Sequence, residues 1–327
     1  PCGGAFAIQE YTSVAGAIMD GFLTCRKCRR VFPILQGIPM LVNDVNVYIK
    51  NNYTHIIEAV GSPDKIHRKV LAYLDAIKQK EPSRPGYNGI AAGAGYYLYH
   101  YSDVGAFDHP LFMADLVAHY RQNNTTFVIQ KWLEQTGPVG GTALDLGCNV
   151  GGLTHLLAET CHSAIGIDLS FADLLNAAKI TKHLPEKRDS FIMLVGDQEY
   201  NVPINLDAVE NIEYIVAAAD NMPVKHSFAI ILAKNIIDIV PSNGRVLKEI
   251  ERLLSARGDL FLSFVPYLSS ITIEKERMLP LTGDSVKDYM SIIKFYEEHT
   301  SIPFLLMHSG NHFEVFSNTC LLGRKES

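Results

Sequence analysis

The stretch Ala143 to Gly152, ALDLGCNVGG, constrains the fold more than any other part of the chain. An apolar strand pattern runs straight into a turn of small residues and then into the amphipathic helix pattern LTHLLAE, so the backbone can approach a ligand closely at that turn. The strand pattern SAIGIDL, the helix pattern ADLLNAAKIT and the strand patterns IEYIVAAA, FAIILA and DLFLSFV follow. Strands and helices alternating at this interval predict a doubly wound, mostly parallel α/β sheet with helices on both faces.

Within the turn, Gly147 and Gly151 lack the Cβ atoms that would block a ligand. Asn149 takes the middle position, where Asn tolerates positive φ better than other side chains. Seventeen residues past Gly151 the next strand ends in Asp168, where a carboxylate can accept from ribose hydroxyls. Asp220 follows IEYIVAAA; it can accept from an adenine amino group while Met222 packs on the ring. With the neighbouring Cys148, Leu169 and Asn221, these residues make up the expected nucleoside cradle. A glycine turn plus one acid equally describes a nicotinamide or flavin site, and either acid can instead cap a helix or turn. Asp145 before the glycines and Asp220 two strands later narrow the choice.

This arrangement resembles the class I S-adenosylmethionine methyltransferases, a Rossmann-like fold, from about Phe112 to the C-terminus. The resemblance implies S-adenosylmethionine as cofactor, with Asp145 supporting the methionine portion, Asp168 the ribose and Asp220 the adenine. Methyl transfer is an in-line displacement from a sulfonium, so much of the catalysis can come from alignment. The strand FAIILA delivers Lys234, Asn235 and Asp238 beside the expected methyl position. Lys234 is assigned to the cofactor, Asn235 to orienting the acceptor, and Asp238 to taking a proton or holding a cation. The Asn/Asp-Pro-Pro-aromatic motif of enzymes that methylate exocyclic amines is replaced here by Lys-Asn-Ile-Ile-Asp, which disfavours that acceptor class. In YYLYHYSD, before the core, His100 and Tyr101 are candidates in a lid over cofactor and acceptor.

The pieces ALDLGCNVGG, KNIIDIVP, FVPYLSS and IPFLLMHSGNHFEVFSNTCLLGRK are together similar to the C-terminal methyltransferase domain of ovothiol synthases, which methylates a ring nitrogen of a thiol-bearing histidine. That similarity adds Tyr267 and His308 to Asn235 and Asp238 on the acceptor side and implies a thiohistidine substrate. Asn311-His312-Phe313 stands where that family carries a basic stretch. The alternatives are a tRNA or protein methyltransferase and a non-catalytic methyltransferase-like scaffold.

Residues 1–45 read as a small β-rich unit, residues 46–95 as a helical connector and linker, and residues 96–327 as the cofactor-binding domain. Cys2, Cys25 and Cys28 stand in zinc-like spacing before VFPILQGIPMLV, and this stretch resembles the small zinc-ribbon activators of tRNA and protein methyltransferases. The resemblance implies a structural zinc on these three cysteines, with a fourth ligand expected upstream of Cys2; the alternative is a ribbon that has lost its metal and is held by apolar packing. With 35 acidic and 29 basic residues and a net charge of -6, nothing global marks a nucleic-acid partner, and a small-molecule acceptor is favoured. No long apolar run or leader pattern is present, so the expectation is a cytoplasmic protein away from membranes. The oligomeric state is not legible.

Overall fold

The computed structural model describes residues 2–78, 94–102, 111–182, 184, 186–195, 198–266, 279–309 and 312–326. At the N-terminus, β1 (Phe6–Val14), β2 (Ala17–Cys25), β3 (Val31–Leu35) and β4 (Ile38–Pro39) form an antiparallel four-stranded sheet in chain order. Two helices follow, α1 (Val45–Val60) and α2 (Arg68–Ile77), separated by a 3₁₀ turn at Pro63–Lys65. Asp44 caps α1 by accepting from Val47 N at 3.0 Å, and Gly61, at φ 88°, ends it. The expected pair of connecting helices is therefore present. The Pro- and Gly-rich stretch expected to link it to the core falls mostly outside the described residues.

α3 (Ala94–Tyr101), α4 (Leu111–Gln122) and α5 (Thr125–Thr136) precede the main sheet. The alternation then runs β5 (Val139–Leu146), α6 (Gly152–Thr160), β6 (Cys161–Asp168), α7 (Phe171–Thr181), a hairpin of β7 (Ser190–Val195) and β8 (Gln198–Pro203), and β9 (Ile212–Val216). It continues with β10 (Phe228–Lys234), α8 (Asn243–Leu253), β11 (Leu254–Phe264), α9 (Gly283–Tyr289), β12 (Ile293–Ser309) and β13 (His312–Lys325). The seven-stranded order is β12-β13-β11-β10-β5-β6-β9. β11, β10, β5, β6 and β9 pair in parallel, while β13 pairs antiparallel with both β11 and β12.

The central strands are buried on both faces, as Ala143–Leu146 and Ile230–Ala233 show, which is why they read as continuous apolar runs instead of alternating. One apolar cluster joins Phe22, Phe32 and Leu35 of the N-terminal sheet to Ile49 and Ile56 of α1, Leu174 of α7, Val216 of β9 and Trp132 of α5. A second cluster lies across Leu144, Ile167, Phe228, Ile231 and Leu247, and a third gathers Tyr97, Leu98 and Tyr99 of α3 with Val150 and Phe304. The N-terminal unit also joins the sheet through its backbone. Met40 bridges Val216 in parallel, and Leu41 N donates to Val216 O at 2.8 Å.

Chain order reverses between β5, which leads outward to β6 and β9, and β10, which leads to β11 on the other side. That switch point opens a crevice at the carboxyl ends of β5 and β10.

Candidate cofactor and acceptor site

The glycine turn lies in this crevice. Gly147 (φ 78°), Asn149 (φ 48°) and Gly151 (φ 86°) alternate in left-handed backbone, so the asparagine adopts the conformation its position demands. Gly147 N donates to Ile167 O at 2.8 Å, tying the turn to the end of β6. A Cβ on Gly151 would lie 2.4 Å from Tyr214 Oη and 2.7 Å from Ala177 Cβ. Gly151 is thus needed for packing as well as for its φ.

Asp145 is buried under the turn and accepts from Thr154 Oγ1 at 2.7 Å. Burial raises it to about 7, although the Thr154 bond and the charge of Lys234 pull the other way. Asp168 accepts from Asn149 N at 3.0 Å through Oδ2 and from Ser170 N at 2.9 Å through Oδ1. It therefore joins the glycine turn to the start of α7, and the capping role weighed for it from sequence is real. The carboxylate also takes a bond from the Leu169 N–H, and the acceptor site left over can serve a ribose hydroxyl. Asp220 lies in the turn four residues beyond β9, which ends at Val216 and not at the last alanine of IEYIVAAA. Asn221 Nδ2 donates to Asn43 Oδ1 at 2.7 Å, and Leu169 O accepts from Tyr48 Oη at 2.6 Å.

Two of the residues assigned to the cofactor turn inward. Met222 is fully buried in the second apolar cluster, its N–H given to Glu249, so it offers no surface to an adenine ring. Cys148 turns its thiol into the core, and its N–H goes to Ile167 O. It shapes the turn without presenting a group to a ligand.

Beyond the turn, α3 closes over the crevice. Tyr101 Oη donates to Val150 O, and His100 packs so tightly on Gly152 that a Cβ there would lie 2.8 Å from His100 Nδ1. Burial, with Lys234 nearby, pushes His100 down to about 3. It stays neutral at physiological pH, and so low a basicity makes it a weak proton acceptor. Burial raises the Tyr101 hydroxyl well above its usual range, and that group is likewise committed to structure.

At the end of β10, Lys234 Nζ lies 3.9 Å from the Tyr99 ring centroid and 4.0 Å from that of Phe304. Asn235, at φ 51°, accepts through Oδ1 from Ser263 Oγ at 3.1 Å and from Asn318 Nδ2 at 2.9 Å; Asn318 Nδ2 also reaches Thr125 Oγ1 at 3.1 Å. Asn235 Nδ2, Asp238 Oδ1, Asn318 Oδ1 and His100 Nδ1 are buried without a hydrogen-bond partner. Such orphans are costly and mark a polar site built for something else. Burial raises Asp238 to about 6 against bonds from its own N–H and that of Val265.

Asn318, Thr125, Ser263 and Phe304 were not among the residues expected; Tyr99 belongs to the aromatic stretch YYLYHYSD read as a lid. Asn318 sits in a strand of mixed polarity, and only its pairing beside β11 reveals that it is completely buried. Of the remaining acceptor candidates, Tyr267 and the side chain of His308 lie outside the described residues.

In the N-terminal sheet, one sulfur each from Cys2, Cys25 and Cys28 lie within 4.8 Å of one another, and Cys2 and Cys25 Sγ are 3.3 Å apart. The Arg30 side chain donates to Cys28 Sγ at 3.4 Å, and with the Arg30 backbone bond lowers that thiol to about 6. All six cysteines are free. Among the described residues no helix is long and apolar enough to cross a membrane.

Residues 144–262 match the model of a methyltransferase domain family. No curated protein matches the chain. Among solved structures, the N-methyltransferase NodS from Bradyrhizobium japonicum, in complex with S-adenosylhomocysteine, is similar at 12% identity and a TM-score of 0.41, over 68% of this chain and 94% of that one. A chain of the complex between the Haloferax volcanii Trm112 methyltransferase activator and a methyltransferase is similar at 15% identity and 0.43, over 61% and 89%. The PH0226 protein of Pyrococcus horikoshii is similar at 16% and 0.41, over 64% and 92%. The chain has a Rossmann-like methyltransferase fold and carries a methyltransferase domain; its enzyme class is that of the S-adenosylmethionine-dependent methyltransferases.

Proposed function

We propose that this S-adenosylmethionine-dependent methyltransferase methylates a ring nitrogen of a small imidazole-bearing acceptor, a thiohistidine of the ovothiol type. The observation that carries this reading is the set of buried, unpartnered polar atoms around the end of β10: one donor, Asn235 Nδ2, and two acceptors, Asp238 Oδ1 and Asn318 Oδ1. A compact ring bearing both an N–H and an acceptor group complements that set.

Asp145, Gly147, Asn149, Gly151, Asp168, Leu169, Asp220 and Asn221 form the cradle for the cofactor. When bound, it supplies an electrophilic methyl group on a sulfonium sulfur. Asp238 accepts the ring N–H of the acceptor, which leaves the lone pair of the other nitrogen free to attack. Methylation of that nitrogen would leave the ring cationic, and the Asp238 carboxylate would take its N–H proton. With that carboxyl at about 6, ionised acceptor-ready enzyme accumulates as pH rises through 6. Asn235, held by Ser263 and Asn318, orients the ring.

Three sulfurs converging from residues 2 and 25–28 suit a structural zinc on Cys2, Cys25 and Cys28, pinning the chain start to the β2–β3 knuckle. Six cysteines without a disulfide among them fit a cytoplasmic setting. We keep residues 1–45, 46–95 and 96–327 as the ribbon, connector and catalytic units.

The test is methyl-labelled S-adenosylmethionine offered with thiohistidine, histidine, tRNA and protein fractions in parallel. Label is expected on thiohistidine, with turnover lost in Asp238→Asn. Label confined to tRNA or protein would overturn the small-molecule reading.

A further inference from the structure

We infer that Tyr48, on the connector helix and outside the catalytic sheet, is a positioning residue for the cofactor site. The inference rests on the reading of Asp168 as the acid that holds the cofactor.

Tyr48 is 7% exposed, and its hydroxyl is fully engaged. It donates to Leu169 O at 2.6 Å and accepts from Phe171 N at 3.3 Å. Both partners flank Ser170, whose N–H is held by Asp168 Oδ1 at 2.9 Å, while the other Asp168 oxygen holds Asn149 N of the glycine turn at 3.0 Å. Hydrogen bonds joined through the backbone of residues 169–171 therefore connect α1 to Asp168 and, through it, to the cofactor loop.

Phe171 opens α7, and a first-turn N–H has no intrahelical acceptor. The Ser170 side chain cannot serve it, because that hydroxyl accepts from Asp173 N. Phe171 is itself buried, so water is a poor substitute. Removing the Tyr48 hydroxyl strands one buried donor and one carbonyl next to Asp168, and the turn must shift to satisfy them. The same segment braces a second strand end: Asn43 Oδ1 accepts from Asn221 Nδ2 beside Asp220, and Leu41 binds Val216. Residues 41–48 thus span the ends of β6 and β9, beside Asp168 and the turn that carries Asp220, the acids read as holding the nucleoside.

Calorimetric titration of the full chain with S-adenosylhomocysteine tests this. Tyr48→Phe keeps the ring and is expected to raise the dissociation constant about tenfold, with kcat at saturating cofactor unchanged. Tyr53→Phe is the control: it lies on the same helix, but its hydroxyl goes to Asp75 Oδ1 at 2.5 Å, away from the site, and affinity should not change. Asp168→Ala should abolish binding. If Asp168→Ala binds normally, the reading of Asp168 fails and this inference with it; if it loses binding while Tyr48→Phe matches wild type, Tyr48 alone is refuted. Hydrogen exchange gives an answer without a variant. Linkage requires that ligand also protect the amides of residues 45–60, together with those of 168–173, and an unresponsive connector helix would overturn the proposal.

Discussion

Lys234 ends the central strand β10 with its ammonium between two aromatic rings, and its ionisation carries a stability cost. Burial pushes it down to about 7, outweighing the attraction of Asp145. A lysine with a folded pKa below its unfolded value of 10.5 is protonated more readily in the unfolded chain. Native stability therefore falls as pH drops from about 10.5 toward 7, and the loss is complete below 7. The ring contacts at 3.9 and 4.0 Å offset part of it. Lys234→Met keeps the apolar stem and removes the charge. The variant is expected to be more stable at pH 7, on the order of 1–3 kcal/mol, with the difference closing as pH approaches 10. Thermal unfolding across that range checks it, and equal melting temperatures at pH 7 would mean that the rings fully offset the burial.

At the level of elements, the β5–α6 turn joins sequence to function most directly. Gly151 is both left-handed and close-packed against Tyr214, whose hydroxyl is engaged with Thr181 at 2.9 Å. Gly151→Ala must strain φ and displace a buried tyrosine, an expected loss of roughly 2–3 kcal/mol in urea unfolding, together with cofactor binding. A variant as stable as wild type would show that the loop has room its packing denies. This turn was legible because strand, small residues and helix are contiguous, so local pattern suffices. The place of Asp168 at the end of β6 was legible from the strand pattern SAIGIDL. The burial of Met222 was not legible, because proximity in sequence to Asp220 says nothing about which side of a loop faces the core; Glu249 and Arg252 of α8 hold its backbone inward. The partners that complete the acceptor side come from three further elements, Thr125 from α5, Ser263 from β11 and Asn318 from β13. No local pattern could have joined residues so far apart in the chain. His100 was found as a lid residue, but its burial, and hence its loss of basicity, depends on Gly152 lying beneath it.

For the whole molecule, three units read from composition share one apolar cluster, and a backbone bond from Leu41 extends the central sheet by one bridge. A domain with its own core could unfold by itself; a unit whose core continues into its neighbour should unfold with it. The chain has one tryptophan, Trp132 on α5. It is 2% exposed, and its indole N–H donates to Tyr296 Oη of β12 at 3.1 Å, so its fluorescence reports on the β12 side of the central sheet, the edge opposite the β9 strand that Met40 bridges. Phe32 of β3 is 7% exposed and meets Phe6 edge-on at 5.8 Å. Phe32→Ala removes that aromatic from the shared cluster, at a cost of about 3 kcal/mol. If the cluster is one cooperative unit, the urea midpoint read from Trp132 must fall and coincide with the loss of far-ultraviolet circular dichroism. If Trp132 keeps its wild-type midpoint while circular dichroism gains a separate early step, the N-terminal sheet folds alone, and the continuity of the cluster is contact without cooperativity.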